Sequence, residues 1–132
     1  MKRFILLLFI LSSPFAFSQV NGNTVSSKEI APIWPGCEEV KAKADCFNKM
    51  LSKHIQQNFT FPEEYTSADK GSKVIVRFII DKQGQPAIKK VSGGAPYLQE
   101  AAKKIILSIP KMQPGSLNGE PRAISYAVPF NF

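Results

Sequence analysis

The chain closes on Arg122-Ala123-Ile124-Ser125-Tyr126-Ala127-Val128-Pro129-Phe130-Asn131-Phe132, and these residues alternate in character to the end. Arg122, Ile124, Tyr126, Val128, Phe130 and Phe132 fall on one side, and the small or polar Ala123, Ser125, Ala127, Pro129 and Asn131 on the other. A period of two with bulk on one face is the pattern of a half-buried β-strand. Pro129 has no N–H to give to a ladder, so the strand belongs at a sheet edge. An edge strand must either pair with something or be covered.

Upstream, Lys73 to Ile80 is the second strong strand signal, rich in β-branched residues and broken only by Arg77. Asp81-Lys82-Gln83-Gly84 reads as a hairpin turn with glycine where positive φ is wanted. Gln85 to Val91 returns as a more polar strand. Between this hairpin and the closing strand, Pro96 sits where a helix can start. Leu98, Ala101, Ala102, Ile105 and Ile109 then share one face up to Pro110. Before the hairpin, Asp45 is placed to cap a helix whose apolar stripe is Phe47, Met50, Leu51, His54 and Ile55, ending near Asn58. Phe59-Thr60-Phe61-Pro62 leaves that helix extended. Two one-faced helices and about three antiparallel strands predict an α+β domain, with the helices packed on one side of a small sheet.

Lys2 and Arg3, the apolar run Phe4–Leu11, the break at Ser12-Ser13-Pro14 and the small residues of Ala16-Phe17-Ser18 read as a secretory signal over residues 1–18. Phe4 to Phe17 is shorter than the roughly 20 apolar residues a spanning helix needs. No Cys follows the cleavage position, which argues against a lipoprotein. Residues 19–31 read as a flexible polar lead, and 32–132 as the domain. Removing Lys2 and Arg3 takes the formal charge from +7 to about +5, a surplus spread along the chain rather than gathered in a stripe. Nucleic-acid binding is therefore not expected.

Cys37 and Cys46 are the only cysteines. In an exported protein an even count points to a disulfide, and closing so short a loop contributes roughly 2.5–3 kcal/mol in the chain-entropy model. A metal pair or a redox motif is the weaker alternative, since only His54 adds a nitrogen ligand and the cysteines are not at close spacing. His54 itself reads as a packed residue on the helix stripe. Ser92-Gly93-Gly94 has neither the Gly-Lys-Ser/Thr nor the complete GxGxxG of a phosphate cradle. With no nucleophile–base pair, carboxylate pair or metal cluster at readable spacing, neither catalysis nor a cofactor is expected.

The block Val74-Ile75-Val76-Arg77-Phe78-Ile79-Ile80-Asp81-Lys82-Gln83-Gly84 resembles the first hairpin of the TonB C-terminal domain family. Glu100-Ala101-Ala102, Ile109-Pro110-Lys111-Met112-Gln113-Pro114-Gly115, Asn118-Gly119-Glu120-Pro121 and Val128-Pro129-Phe130-Asn131-Phe132 are similar to its later blocks. Phe61-Pro62 falls where the family has an aromatic-proline pair, and the segments around Cys37 and Cys46 look like a Bacteroidetes-type variant. The resemblance implies a domain that takes a short segment of an outer-membrane TonB-dependent receptor, the TonB box, as an extra strand. It implies a contact built on Arg122, Ile124, Tyr126, Val128 and Phe130, flanked by Phe61 and Pro62, in the periplasm. Family transducers carry a membrane anchor and a long linker. Here about fourteen residues separate Ser18 from Ile33, roughly 50 Å when fully extended. The expectation is therefore strand pairing, with coupling to a proton-driven motor left open. The alternatives are a related periplasmic protein as the partner, a membrane-anchored transducer with an uncleaved N-terminal segment, or a homodimer paired through the closing strand.

Overall fold

Residues 28–132 are described by a computed structural model of the protein. The signal segment read at residues 1–18 lies outside the described residues. Within them the chain runs β1 (Glu29–Ile30), α1 (Lys43–Asn58), β2 (Lys73–Ile80), β3 (Pro86–Ser92), α2 (Pro96–Leu107), β4 (Ser116–Leu117), β5 (Glu120–Pro121) and β6 (Ile124–Asn131). The strands form two antiparallel three-stranded sheets, ordered β3-β2-β6 and β1-β4-β5. This is the expected α+β architecture, with a second, smaller sheet that the sequence pattern did not predict.

β2 is the centre of the main sheet because every second side chain is apolar and can be buried. Val74, Val76, Phe78 and Ile80 are all buried, while Lys73 and Arg77 face solvent. β6 lies beside it in continuous register from Lys73↔Asn131 to Ile80↔Ile124. Residues that face each other across a sheet share a face. The even-numbered residues of β6 therefore join the buried side and the odd-numbered ones lie outside.

Both helices cover the buried face. α2 packs on β2 and β3 and buries Leu98, Ala102, Ile105 and Ile106. α1 lies under β6: Phe47, fully buried, stacks on Tyr126 at 4.4 Å between centroids and meets Trp34 edge-on at 5.6 Å. Tyr126 in turn stacks on Phe78 of β2 at 5.5 Å. This row of rings ties the segment before α1, the helix, the edge strand and the central strand together.

Three local expectations need revision. α1 begins at Lys43, with Ala42 rather than Asp45 at the N-cap position; Asp45 sits inside the first turn, where a carboxylate still complements the helix dipole. The helix starts there because the chain before it is already held. The Cys37–Cys46 disulfide, with Cα atoms 6.0 Å apart, joins its first turn to the Trp34–Cys37 turn, and Lys43 Nζ donates to the Cys37 carbonyl at 3.0 Å. The closing strand proper is Ile124–Asn131, so Arg122 precedes it, donating its N–H to Gly115 O at 2.8 Å. Finally, Glu29 and Ile30, within the stretch read as a flexible lead, pair with Leu117 and Ser116.

Gly84 closes the β2–β3 hairpin at φ +81°, as its turn position requires, and has a second reason to be glycine. A Cβ there would lie 1.6 Å from Met112 O, because the Met112 loop packs directly on the turn and donates its N–H to Gly84 O.

Candidate functional site

The two outer edges of the main sheet differ in chemistry. β3 carries Lys89 and Lys90, both exposed, begins with Pro86, and is bulged where it pairs with β2 at Arg77/Phe78. Lysines, proline and a bulge are the usual means of blunting an edge. β6 has no charged residue from Ile124 to Asn131 and only Pro129 among such devices. Ser125, Ala127, Pro129 and Asn131 are exposed along it. Among the described residues its only strand neighbour is β2.

Which main-chain groups lie free on β6 follows from its hydrogen bonding. Phe132 donates to Ser72 O at 2.9 Å, immediately beyond the Lys73↔Asn131 pair. In an antiparallel ladder bonded and non-bonded pairs alternate. Phe130, Val128, Tyr126 and Ile124 therefore turn their N–H and C=O toward β2, and Asn131, Pro129, Ala127 and Ser125 turn theirs outward. The imide nitrogen of Pro129 thus falls on the outer side, where no ladder bond to β2 is lost.

This arrangement divides the strand into two alternating sets of residues. Ile124, Tyr126, Val128 and Phe130 carry the inward side chains; Phe130 is 2% exposed and the other three are half-buried. Burial pushes the Tyr126 hydroxyl up to about 12, helped by the nearby Glu29 carboxylate. The free main-chain groups belong instead to Ser125, Ala127, Pro129 and Asn131, which pattern reading passed over because their side chains are small. The signal was present in the period of two; the register was needed to interpret it.

Beside the Pro129 end lies a shallow groove of about 350 Å³ lined by Ile55, Gln56, Phe59, Pro129, Phe130 and Asn131. Phe61 is 56% exposed and packs on Phe59 and Tyr65, at 5.3 and 4.6 Å between centroids, while Phe59 leans on Phe132 at 5.3 Å. Phe61 is therefore continuous with the end of β6 through two rings. Pro62 follows Phe61 directly and is half-buried. It lines an open, mixed-charge cavity of about 580 Å³ between α1 and α2, together with Asn58, Tyr97, Glu100, Lys104 and Ser108.

Two residues of that cavity, Asn58 and Ser108, form a row with His54, which lies outside its lining. His54 Nε2 lies 3.0 Å from both Ile105 O and Ser108 Oγ, and Asn58 Nδ2 lies 3.4 Å from His54 Nδ1. A carbonyl can only accept, so Nε2 carries a proton and donates, leaving no lone pair to activate Ser108. Ser108 Oγ also donates to Ile105 O at 2.7 Å. The row fastens α1 to α2 rather than forming a nucleophile–base pair. Near the cavity rim Tyr97 donates to Asp69. That bond, ahead of burial and the nearby Asp69 and Glu64 charges, pushes the Tyr97 hydroxyl up to about 12 and holds the Asp69 carboxyl below its ordinary range. Among the described residues no group of three or more His, Cys, Asp or Glu side chains is placed to hold a metal ion.

The model of the family described as Gram-negative bacterial TonB protein C-terminal matches residues 57–132. The chain belongs to the TonB C-terminal family. The match begins near the end of α1 and takes in the whole β3-β2-β6 sheet and α2. This non-enzymatic family takes part in TonB-dependent transport, acts in the periplasm and interacts with outer-membrane receptors. No curated protein and no solved structure matches the chain. No helix among the described residues is long and apolar enough to cross a membrane.

Proposed function

We propose that this TonB-family domain is delivered to the periplasm by its N-terminal signal and binds an extended segment of a TonB-dependent receptor by strand addition to β6. One observation carries the reading: β6 offers an exposed, uncharged edge, while the other edge of the same sheet is blunted by Lys89, Lys90, Pro86 and a bulge. The main-chain groups of Ser125, Ala127, Pro129 and Asn131 supply affinity. Ile124, Tyr126, Val128 and Phe130 form the floor beside which the segment's inward side chains lie, with Phe61 flanking the end. The domain contributes grip and no chemistry.

Removing the closing strand is an unsuitable test, because Phe130 and Phe132 would leave the core with it. A photo-crosslinking residue at Ser125 or Ala127 leaves the core intact. Incubated with a synthetic receptor box peptide, these variants should crosslink, and a Lys89 variant on the β3 edge should not. Equal crosslinking at both edges, or none at β6 by a folded protein, refutes the reading. The mass of the native N-terminus tests the export step: a chain beginning near Gln19 supports it, and an intact Met1 in the membrane fraction favours an anchored transducer.

A further inference from the structure

Pro129 is the one place where the open edge of β6 cannot donate. The edge presents the N–H groups of Ser125, Ala127 and Asn131 and the carbonyls of Ser125, Ala127, Pro129 and Asn131, as the Phe132–Ser72 bond and the register with β2 require. A strand from another protein that spans the edge meets this gap once, and a strand ending before residue 129 does not meet it at all. A second copy of the same chain is different. In a two-fold pairing the same strand stands on both sides, so every defect is counted twice. With the axis at Ala127, Ser125 of each copy faces Pro129 of the other. Each Ser125 N–H finds the Pro129 carbonyl, and each Ser125 carbonyl finds a ring with no proton. With the axis between Ser125 and Ala127, the same loss falls on the carbonyl of Ala123 in both copies.

We infer that Pro129 is a specificity device that turns β6 away from its own copy and leaves it open to an extended, proline-free segment of a foreign chain. The inference refines the proposed strand addition, and it answers a hazard of the fold. The uncharged edge that suits a partner would also suit a second copy, and β6 lacks the lysines that protect β3. A missing N–H on the outer side is the economical remedy, because it costs the β2 ladder nothing.

The test is the self-association of the full mature chain by sedimentation equilibrium, which does not depend on any receptor peptide. The native protein should be monomeric at concentrations where Pro129→Ala dimerises. Two restored hydrogen bonds should tighten self-association by roughly tenfold to a hundredfold. Adding Ala127→Pro to that variant removes donors from the same edge and should return it to monomer, which ties the dimer to β6. Pro129→Thr is a second replacement bearing an N–H, to be measured in parallel should the alanine variant be poorly folded. A Pro129 variant that is folded and no more associated than the native chain overturns the inference. So does a native dimer that Ala127→Pro dissociates. Receptor peptide crosslinking is scored separately, so failure of strand addition and failure of the proline device give different results.

Discussion

Exchanging two neighbouring residues for proline tests the parity of β6 on which the functional reading depends. Val128 faces Val76 and turns its N–H toward β2; Ala127, one residue earlier, faces Arg77 and turns its N–H outward. Proline at either position imposes the same restriction on φ, so the difference between the two variants isolates the hydrogen bond. Val128→Pro removes a ladder bond and leaves the carbonyl of the fully buried Val76 without its donor. The lost bond and the unpaired buried group together cost about 2–4 kcal/mol. Ala127→Pro removes an N–H that faces solvent and should change stability by about 1 kcal/mol or less, but should weaken binding of a receptor box peptide about fivefold, the value of one hydrogen bond near 1 kcal/mol. Urea unfolding measures the first quantity and fluorescence anisotropy of a labelled peptide the second. If Ala127→Pro destabilises the domain as much as Val128→Pro, the outward assignment of the odd-numbered residues is wrong, and both the docking edge and the role of Pro129 fall with it.

Other consequences follow from the same structure. Gly84→Ala should destabilise by about 3 kcal/mol or more, since it adds a collision with Met112 O to the left-handed strain. Gly36→Ala, at φ +100° with nothing within 4 Å of the added Cβ, should cost about 1–2 kcal/mol; equal losses in urea unfolding would remove the packing argument. Reducing the Cys37–Cys46 bond should lower stability by roughly 2.5–3 kcal/mol, with hydrogen exchange rising first in the opening turn of α1. Tyr97 and Tyr126 have folded hydroxyls raised from 10.0 to about 12, so the stability they confer is complete below pH 10 and is lost as pH rises through about 12. In Tyr126→Phe that alkaline loss should shrink, as judged by unfolding at stepped pH, and an unchanged profile would contradict burial of the phenol.

Much of the fold was legible because the elements that build the core have their apolar residues in simple periods. β2 spans the residues its β-branched run predicted, α2 starts at the expected Pro96, and Phe47, Met50, Leu51, His54 and Ile55 do line the inner side of α1. The small second sheet was not legible, because strands of two residues such as Glu29–Ile30 and Ser116–Leu117 are too short to show a period and exist only through their partners. The start of α1 was misread for a related reason. A capping side chain is a local signal, but this helix begins where a disulfide and the Lys43 contact to the Cys37 carbonyl hold it.

The closing stretch shows where the two kinds of information divide. Its alternation and its proline, read alone, determine a half-buried strand suited to an edge, since side chains on a pleated strand must alternate and a residue without N–H cannot sit between two neighbours. Only the tertiary structure decided which main-chain groups point away from β2. Side-chain period and hydrogen-bond direction share a repeat of two, but their relation depends on which neighbour the strand pairs with and in what register. The Lys73↔Asn131 pairing and the Phe132–Ser72 bond turn the main-chain groups of Ser125, Ala127, Pro129 and Asn131 to the open side and those of Tyr126, Val128 and Phe130 to β2.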